Sequence, residues 1–159
     1  MIVVADASPL VALTICDSLD ILEKLFDNVK VSQTVYEEVT IDGKFGSDKL
    51  KEYLQEKVTY LDLNSFVIEG SSLDKGELSS IALYKRLQAD YLLIDEKAGR
   101  RIAKLNNIKV IGSLGVLIEA KKKGILQSLK PHIKILRSSK IYFNPNLLDY
   151  ALKIVNEYE

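Results

Sequence analysis

Two aspartates stand just past short, strongly apolar runs: Asp6 after Ile2-Val3-Val4-Ala5, and Asp95 after Tyr91-Leu92-Leu93-Ile94. Carboxylates brought together in a partly buried cleft repel, and one of them protonates unless a cation is shared. Such a cluster is therefore either a proton-sharing pair or a metal site, and further acids favour the metal. Two more are placed to join. Glu77 precedes Ile81 by four residues and so borders the core-facing stripe of a helix. Glu38 lies beside Val39 and four residues after Thr34, although the adjacent Glu37 could take its place. Each acid also has a plain structural use. Asp6 and Asp95 could cap the helices that follow them, Asp74 and Glu77 fit a capping box, and Glu37 and Glu38 suit a solvated helix face. The combination carries the weight. Lys97, Arg100 and Arg101 follow Asp95, and helical spacing groups Lys97 with either arginine, for phosphate binding or for ordinary surface ion pairs.

Other chemistries find little support. Cys16 is the single cysteine, which excludes an internal disulfide and a cysteine-built zinc site and fits a reducing, cytoplasmic setting. It reads as a small buried apolar residue, since His132, the single histidine, is the one base it could use. No partner to orient His132 is evident. Gly112-Ser113-Leu114-Gly115 lacks the spacing and the lysine of a phosphate loop, so nucleotide binding is unsupported.

The elements that position the acids are legible in the pattern. Ile2 to Ala5 and Tyr91 to Ile94 read as strands buried on both faces of a parallel sheet. Ser8-Pro9 supplies an N-cap and first-turn proline for a helix through Leu10, Leu13 and Ile15. A helix is expected from about 17 to 26, a short strand over 29–31, and a helix capped by Ser32 or Thr34 that carries Glu38. Gly43 and Gly46 close it. A helix over about 47–56, an edge strand over 58–61, and a clear helix over about 74–88 follow, the last with Leu78, Ile81, Ala82 and Lys85 on one stripe. Beyond Asp95, a helix over 97–106, a third buried strand over 109–111, a helix over 114–123 closed by Gly124, and two terminal helices near 127–136 and 145–158 complete the chain. Alternating strands and helices imply an α/β fold whose ligands gather outside the carboxyl ends of the strands. Asp6 and Asp95 would then share one sheet edge.

The chain has 159 residues, 47% apolar and 28% charged, enough for a single domain with a real core. No membrane anchor is expected. The apolar run over residues 1–16 is broken by Asp6 and Pro9 and has no basic residue before it, so it reads poorly as a signal peptide. The zero net charge hides an asymmetry: residues 1–80 carry 15 acids against 7 Lys or Arg, and residues 81–159 carry 7 against 15. No acid occurs between Glu119 and Asp149, while Lys121, Lys122, Lys123, Lys130, Lys134, Arg137 and Lys140 accumulate. A polyanionic partner such as nucleic acid, or simply a solvated basic face, accounts for this.

The order of the acids resembles that of PIN-domain nucleases. Val4-Ala5-Asp6-Ala7-Ser8 is similar to the family's first motif, Tyr36-Glu37-Glu38-Val39 to its second, and Asp74-Lys75-Gly76-Glu77-Leu78 with Ile81-Ala82-Leu83 to its third. Leu92-Leu93-Ile94-Asp95-Glu96, Gly99-Arg100-Arg101 and Val110 to Leu117 resemble the fourth acid's surroundings in a prokaryotic subgroup related to VapC-like toxins. Glu77 stands where many members carry aspartate, and Leu93 where many carry Thr or Ser. The resemblance spans about 1–125 and leaves a helical extension over about 126–159. It implies a three-layer fold with a central, mostly parallel sheet flanked by helices. It also implies hydrolysis of RNA phosphodiesters by water activated on one or two Mg²⁺ or Mn²⁺ ions held by Asp6, Glu38, Glu77 and Asp95. Ser8 would steady a ligand or water from behind, and Lys97, Arg100 and Arg101 would meet RNA phosphates. A cognate antitoxin and a homodimer are implied by the same resemblance. A PIN-like domain that binds RNA or protein without cutting is the alternative. A receiver domain is disfavoured, because its adjacent acidic pair and late lysine are missing.

Overall fold

Short apolar strands separated by amphipathic helices can hide both faces of a sheet only if helices cover each side. The computed structural model, which describes residues 1–62 and 73–159, has this arrangement. The described elements are β1 (Ile2–Ala5), α1 (Ala7–Ile15), α2 (Asp20–Leu25), β2 (Asn28–Ser32), α3 (Gln33–Val39), α4 (Ser47–Leu54), β3 (Val58–Thr59), α5 (Lys75–Leu87), β4 (Tyr91–Leu93), α6 (Lys97–Leu105), β5 (Val110–Ile111), α7 (Ser113–Lys122), α8 (Lys130–Ser138) and α9 (Pro145–Ile154). The strands form one sheet in the order β3-β2-β1-β4-β5, and every pairing is parallel.

Strand alternation divides the interior into two layers. Val3, Ala5, Val29, Val31 and Leu93 face a large cluster with residues of α1, α2, α7, α8 and α9, including Leu13, Leu22, Leu117, Ile133 and Leu152. Val4, Leu92 and Ile94 face the opposite way, onto Ile81 and Leu83 of α5 and Ile102 and Ala103 of α6. The register pairs Val4 with Leu92 and Ala5 with Leu93, so the carboxyl ends of β1 and β4 finish level. Asp6 N–H donates to the Leu93 carbonyl at 2.9 Å, which continues that pairing one residue past the strand. In the strand order, successive strands run outward from β1 to one side and then resume on its other side at β4. The crevice outside the carboxyl ends at such a reversal is where open α/β sheets bind ligands.

Two local details differ from the sequence reading. The helix after β1 starts at Ala7 with Asp6, not Ser8, at the N-cap, so Ser8 lies in the first turn and is exposed. The 127–136 helix begins at Lys130, after Leu129 N–H and Ser128 have been tied to Glu157. No helix among the described residues is long and apolar enough to cross a membrane.

Candidate active site

Asp6 is 5% exposed and Glu77 6%, although both are acids. Asp6 reaches the crevice because β1 ends beneath it. Its Oδ1 accepts from Ser80 Oγ at 3.1 Å, and its carboxylate also accepts the Ala7 N–H. Glu77 comes from the first turn of α5, where Asp74 accepts the Glu77 N–H at 2.8 Å and Glu77 Oε1 accepts the Asp74 N–H at 3.3 Å. The capping box anticipated from the sequence is therefore present, but it uses one carboxylate oxygen. The other, Oε2, is buried with no hydrogen-bond partner.

Both carboxyls are shifted strongly upward. Burial raises Asp6 to about 6, against the pull of Ala7 and Ser80, with the charges of Asp74 and Glu38 adding to the rise. Burial likewise raises Glu77 to about 7, opposed by the Asp74 N–H and reinforced by Asp74, Glu96 and Asp6. Glu38, on α3, is exposed, yet its Oε2 lies only 3.6 Å from where a Cβ on Gly76 would stand. Ser32 holds this helix in place: its Oγ accepts the Val35 N–H at 3.1 Å and contacts Ser79 Oγ of α5 at 2.7 Å. Asp6, Glu38 and Glu77 thus gather at the mouth of β1, joined by Asp74.

Asp95 lies on the same edge but faces other partners. Its Oδ1 accepts the Ser113 N–H at 2.7 Å and its Oδ2 accepts from Ser113 Oγ at 2.8 Å. It therefore caps α7, not the helix following its own strand, satisfying an orphan N–H at a positive helix end. Burial raises its pKa, while Ser113 and Arg100 lower it. Arg100 is turned inward, with Nη1 donating to the Ile94 carbonyl at 3.1 Å, whereas Lys97 and Arg101 are exposed.

Two glycines make room for these acids. A Cβ on Gly99 would lie 2.6 Å from Glu77 Oε2 and 2.6 Å from Ile94 Cδ1. One on Gly112 would lie 2.8 Å from Asp95 Oδ1 and 2.9 Å from Arg100 Nη1. Neither glycine was assigned this task from the sequence, nor were Ser80 and Ser113 singled out. The available signal for Ser80 is its position three residues after Glu77, on the same helix face.

A family model described as a PIN domain matches residues 2–157. The chain belongs to the PIN-domain family. PIN domains are generally nucleases, and thus hydrolases. The match runs through α8 and α9, beyond the 1–125 span over which the sequence motifs resemble the family. A comparison with curated proteins returns no match.

PIN-domain nucleases typically use divalent metal ions, and this chain's donor set fits such an ion. A buried carboxylate oxygen without a partner, on an acid whose pKa neighbouring acids raise further, is a site short of positive charge. Among the described residues, no three His, Cys, Asp or Glu side chains stand close enough to enclose an ion in this arrangement.

Proposed function

We propose that this PIN domain is a metal-dependent endoribonuclease. The observation that carries the reading is Glu77 Oε2, buried and unpartnered beside Asp6 and within reach of Glu38. Asp6 and Glu77 would hold Mg²⁺ or Mn²⁺, with Glu38, whose side chain is exposed and adjustable, closing on the ion. Such an ion would supply an activated water and stabilise charge on the phosphate. Ser80 positions Asp6 by its hydrogen bond, and the capping box positions Glu77. Asp95 would complete the ligand set either directly or through a water, and Lys97 and Arg101 would meet the RNA backbone. Ser8, exposed on the first turn of α1, would contact a water at the mouth. By resemblance alone, we extend the proposal to a cytoplasmic toxin that acts as a homodimer and is held by a cognate antitoxin.

The test is cleavage of an end-labelled mixed RNA pool in Mg²⁺, Mn²⁺ or EDTA, beside a folded Asp6→Asn protein. Cleavage that requires metal and vanishes in the variant supports the nuclease. A second reading, a PIN domain that binds RNA or protein without cutting, draws support from Asp95, both of whose oxygens are already engaged by Ser113. Absence of cleavage in every metal, with RNA binding unchanged by Asp6→Asn, would favour it.

A further inference from the structure

The acid edge borders a groove that, beyond Ser8 and Glu38, the proposed chemistry does not use. Its near part, about 250 Å³, is lined by Ser8, Val11, Glu38, Lys44, Phe45 and Ile141. Its far part, about 400 Å³, is lined among others by Arg137, Lys140, Ile141 and Tyr142. Ile141 lines both, so the two parts adjoin at that residue. Glu38 lines the near end, which makes the groove continuous with the candidate active site.

Two features of this groove are costly in water and useful to a ligand. Phe45 is 67% exposed and Tyr142 82% exposed, leaving a large aromatic ring without cover in each of the two adjoining parts. Cations accompany them. Lys44 Nζ donates to the Glu38 carbonyl at 3.2 Å and is exposed, retaining further donors, and Lys140 has no ion pair among the described residues. Arg137 is paired with Asp149 and counts for less. Aromatic rings spaced along a basic groove form a platform for unpaired bases, because every base offers a π-face and the backbone tracks the positive charge. Bases inside a duplex have both faces already stacked, and an apolar peptide would have no use for the lysines.

We propose that the groove is a single-stranded RNA subsite, in which one unpaired base stacks on Phe45 and another farther along stacks on Tyr142. Phosphates between them meet Lys44 and Lys140. The choice of RNA, and the placing of the cut phosphate at the carboxylates, rest on the nuclease reading.

The test is fluorescence anisotropy in EDTA with a labelled, mixed-sequence oligoribonucleotide of about ten residues, single-stranded or annealed to its complement. It compares the unaltered protein with Phe45→Ala, Tyr142→Ala and, as an exposed control on α6, Leu105→Ala. Both aromatic changes remove highly exposed rings, so folding is expected to survive, and circular dichroism checks it. Each should weaken single-strand binding by roughly 5- to 100-fold, with Leu105→Ala neutral and the duplex bound more weakly by all four proteins. Equal affinity of the aromatic variants and the unaltered protein overturns the subsite. So does a change from dimer to monomer with RNA affinity intact, which would assign the groove to a second copy. RNA binding that depends on Phe45 without metal-dependent cleavage would retain the groove and sink the nuclease. Cleavage unaffected in KM by Phe45→Ala would do the reverse.

Discussion

The two halves of the acid edge solve the same electrostatic problem differently. On the β4 side, Asp95 is partly buried and doubly satisfied: one serine gives it a backbone N–H and a hydroxyl, and a helix terminus adds favourable potential. On the β1 side, Asp6 and Glu77 are more deeply buried, Asp6 raises the pKa of Glu77, Asp74 raises both, and Glu77 Oε2 is left orphaned. A carboxylate whose two oxygens folding engages ties its local elements together, even where burial raises its pKa. One that folding leaves wanting is a place where a cation, as proposed above, would answer both the charge and the missing partner.

This contrast can be broken most severely at Glu77. Glu77→Gln keeps the acceptor for the Asp74 N–H but removes the charge. It should reduce RNA cleavage by more than the 10- to 100-fold that loss of a supporting partner typically costs, while raising metal-free stability by about 1–2 kcal/mol in urea titrations at pH 7. Ser80→Ala attacks the same half indirectly. Its loss frees Asp6 to rotate and should cost roughly 10- to 100-fold in cleavage or cation affinity, with a further upward shift of the Asp6 pKa, measurable by NMR titration. Gly99→Ala pushes a methyl against Glu77 Oε2 and Ile94. It should lower stability by about 1–3 kcal/mol and weaken cation binding together with it.

On the satisfied half the sign reverses. Asp95→Ala strips the cap from α7 and should destabilise by about 1–2 kcal/mol, where Glu77→Gln stabilises. The β1 half can also be read through pH, which acts on both of its acids at once. Asp6 and Glu77 bind protons more readily folded than unfolded, so the stability they lend is complete below about 3.8 and 4.5 and is lost as pH rises through about 6 and about 7. The metal-free protein should therefore melt lower at pH 8 than at pH 5, and added Mn²⁺ should raise the melting temperature more at pH 8 than at pH 5.

The contrast also marks the limit of the sequence. Apolar runs such as Ile2 to Ala5 and Tyr91 to Ile94 expose their strands because a strand buried on both faces leaves nothing polar to confuse the pattern. The acids at their ends were readable for the same reason. Which way a carboxylate turns is not encoded in spacing, since it depends on partners brought from distant elements. Ser113 meets Asp95 only once β5 pairs with β4, and Ser80 meets Asp6 only once α5 packs on β1. The capping box at Asp74 and Glu77 was readable, being local. That it occupies just one of the two oxygens of Glu77 was not, because the emptiness around the other is made by Gly99 on a different helix.

The most direct test of the central claim is Mn²⁺ binding by isothermal titration calorimetry to the unaltered protein, Glu77→Gln and a folded Asp95→Asn. The account predicts saturable binding that Glu77→Gln abolishes and that Asp95→Asn weakens by less. Binding that survives Glu77→Gln unchanged, or no binding at all to the unaltered protein at pH 8, would contradict it.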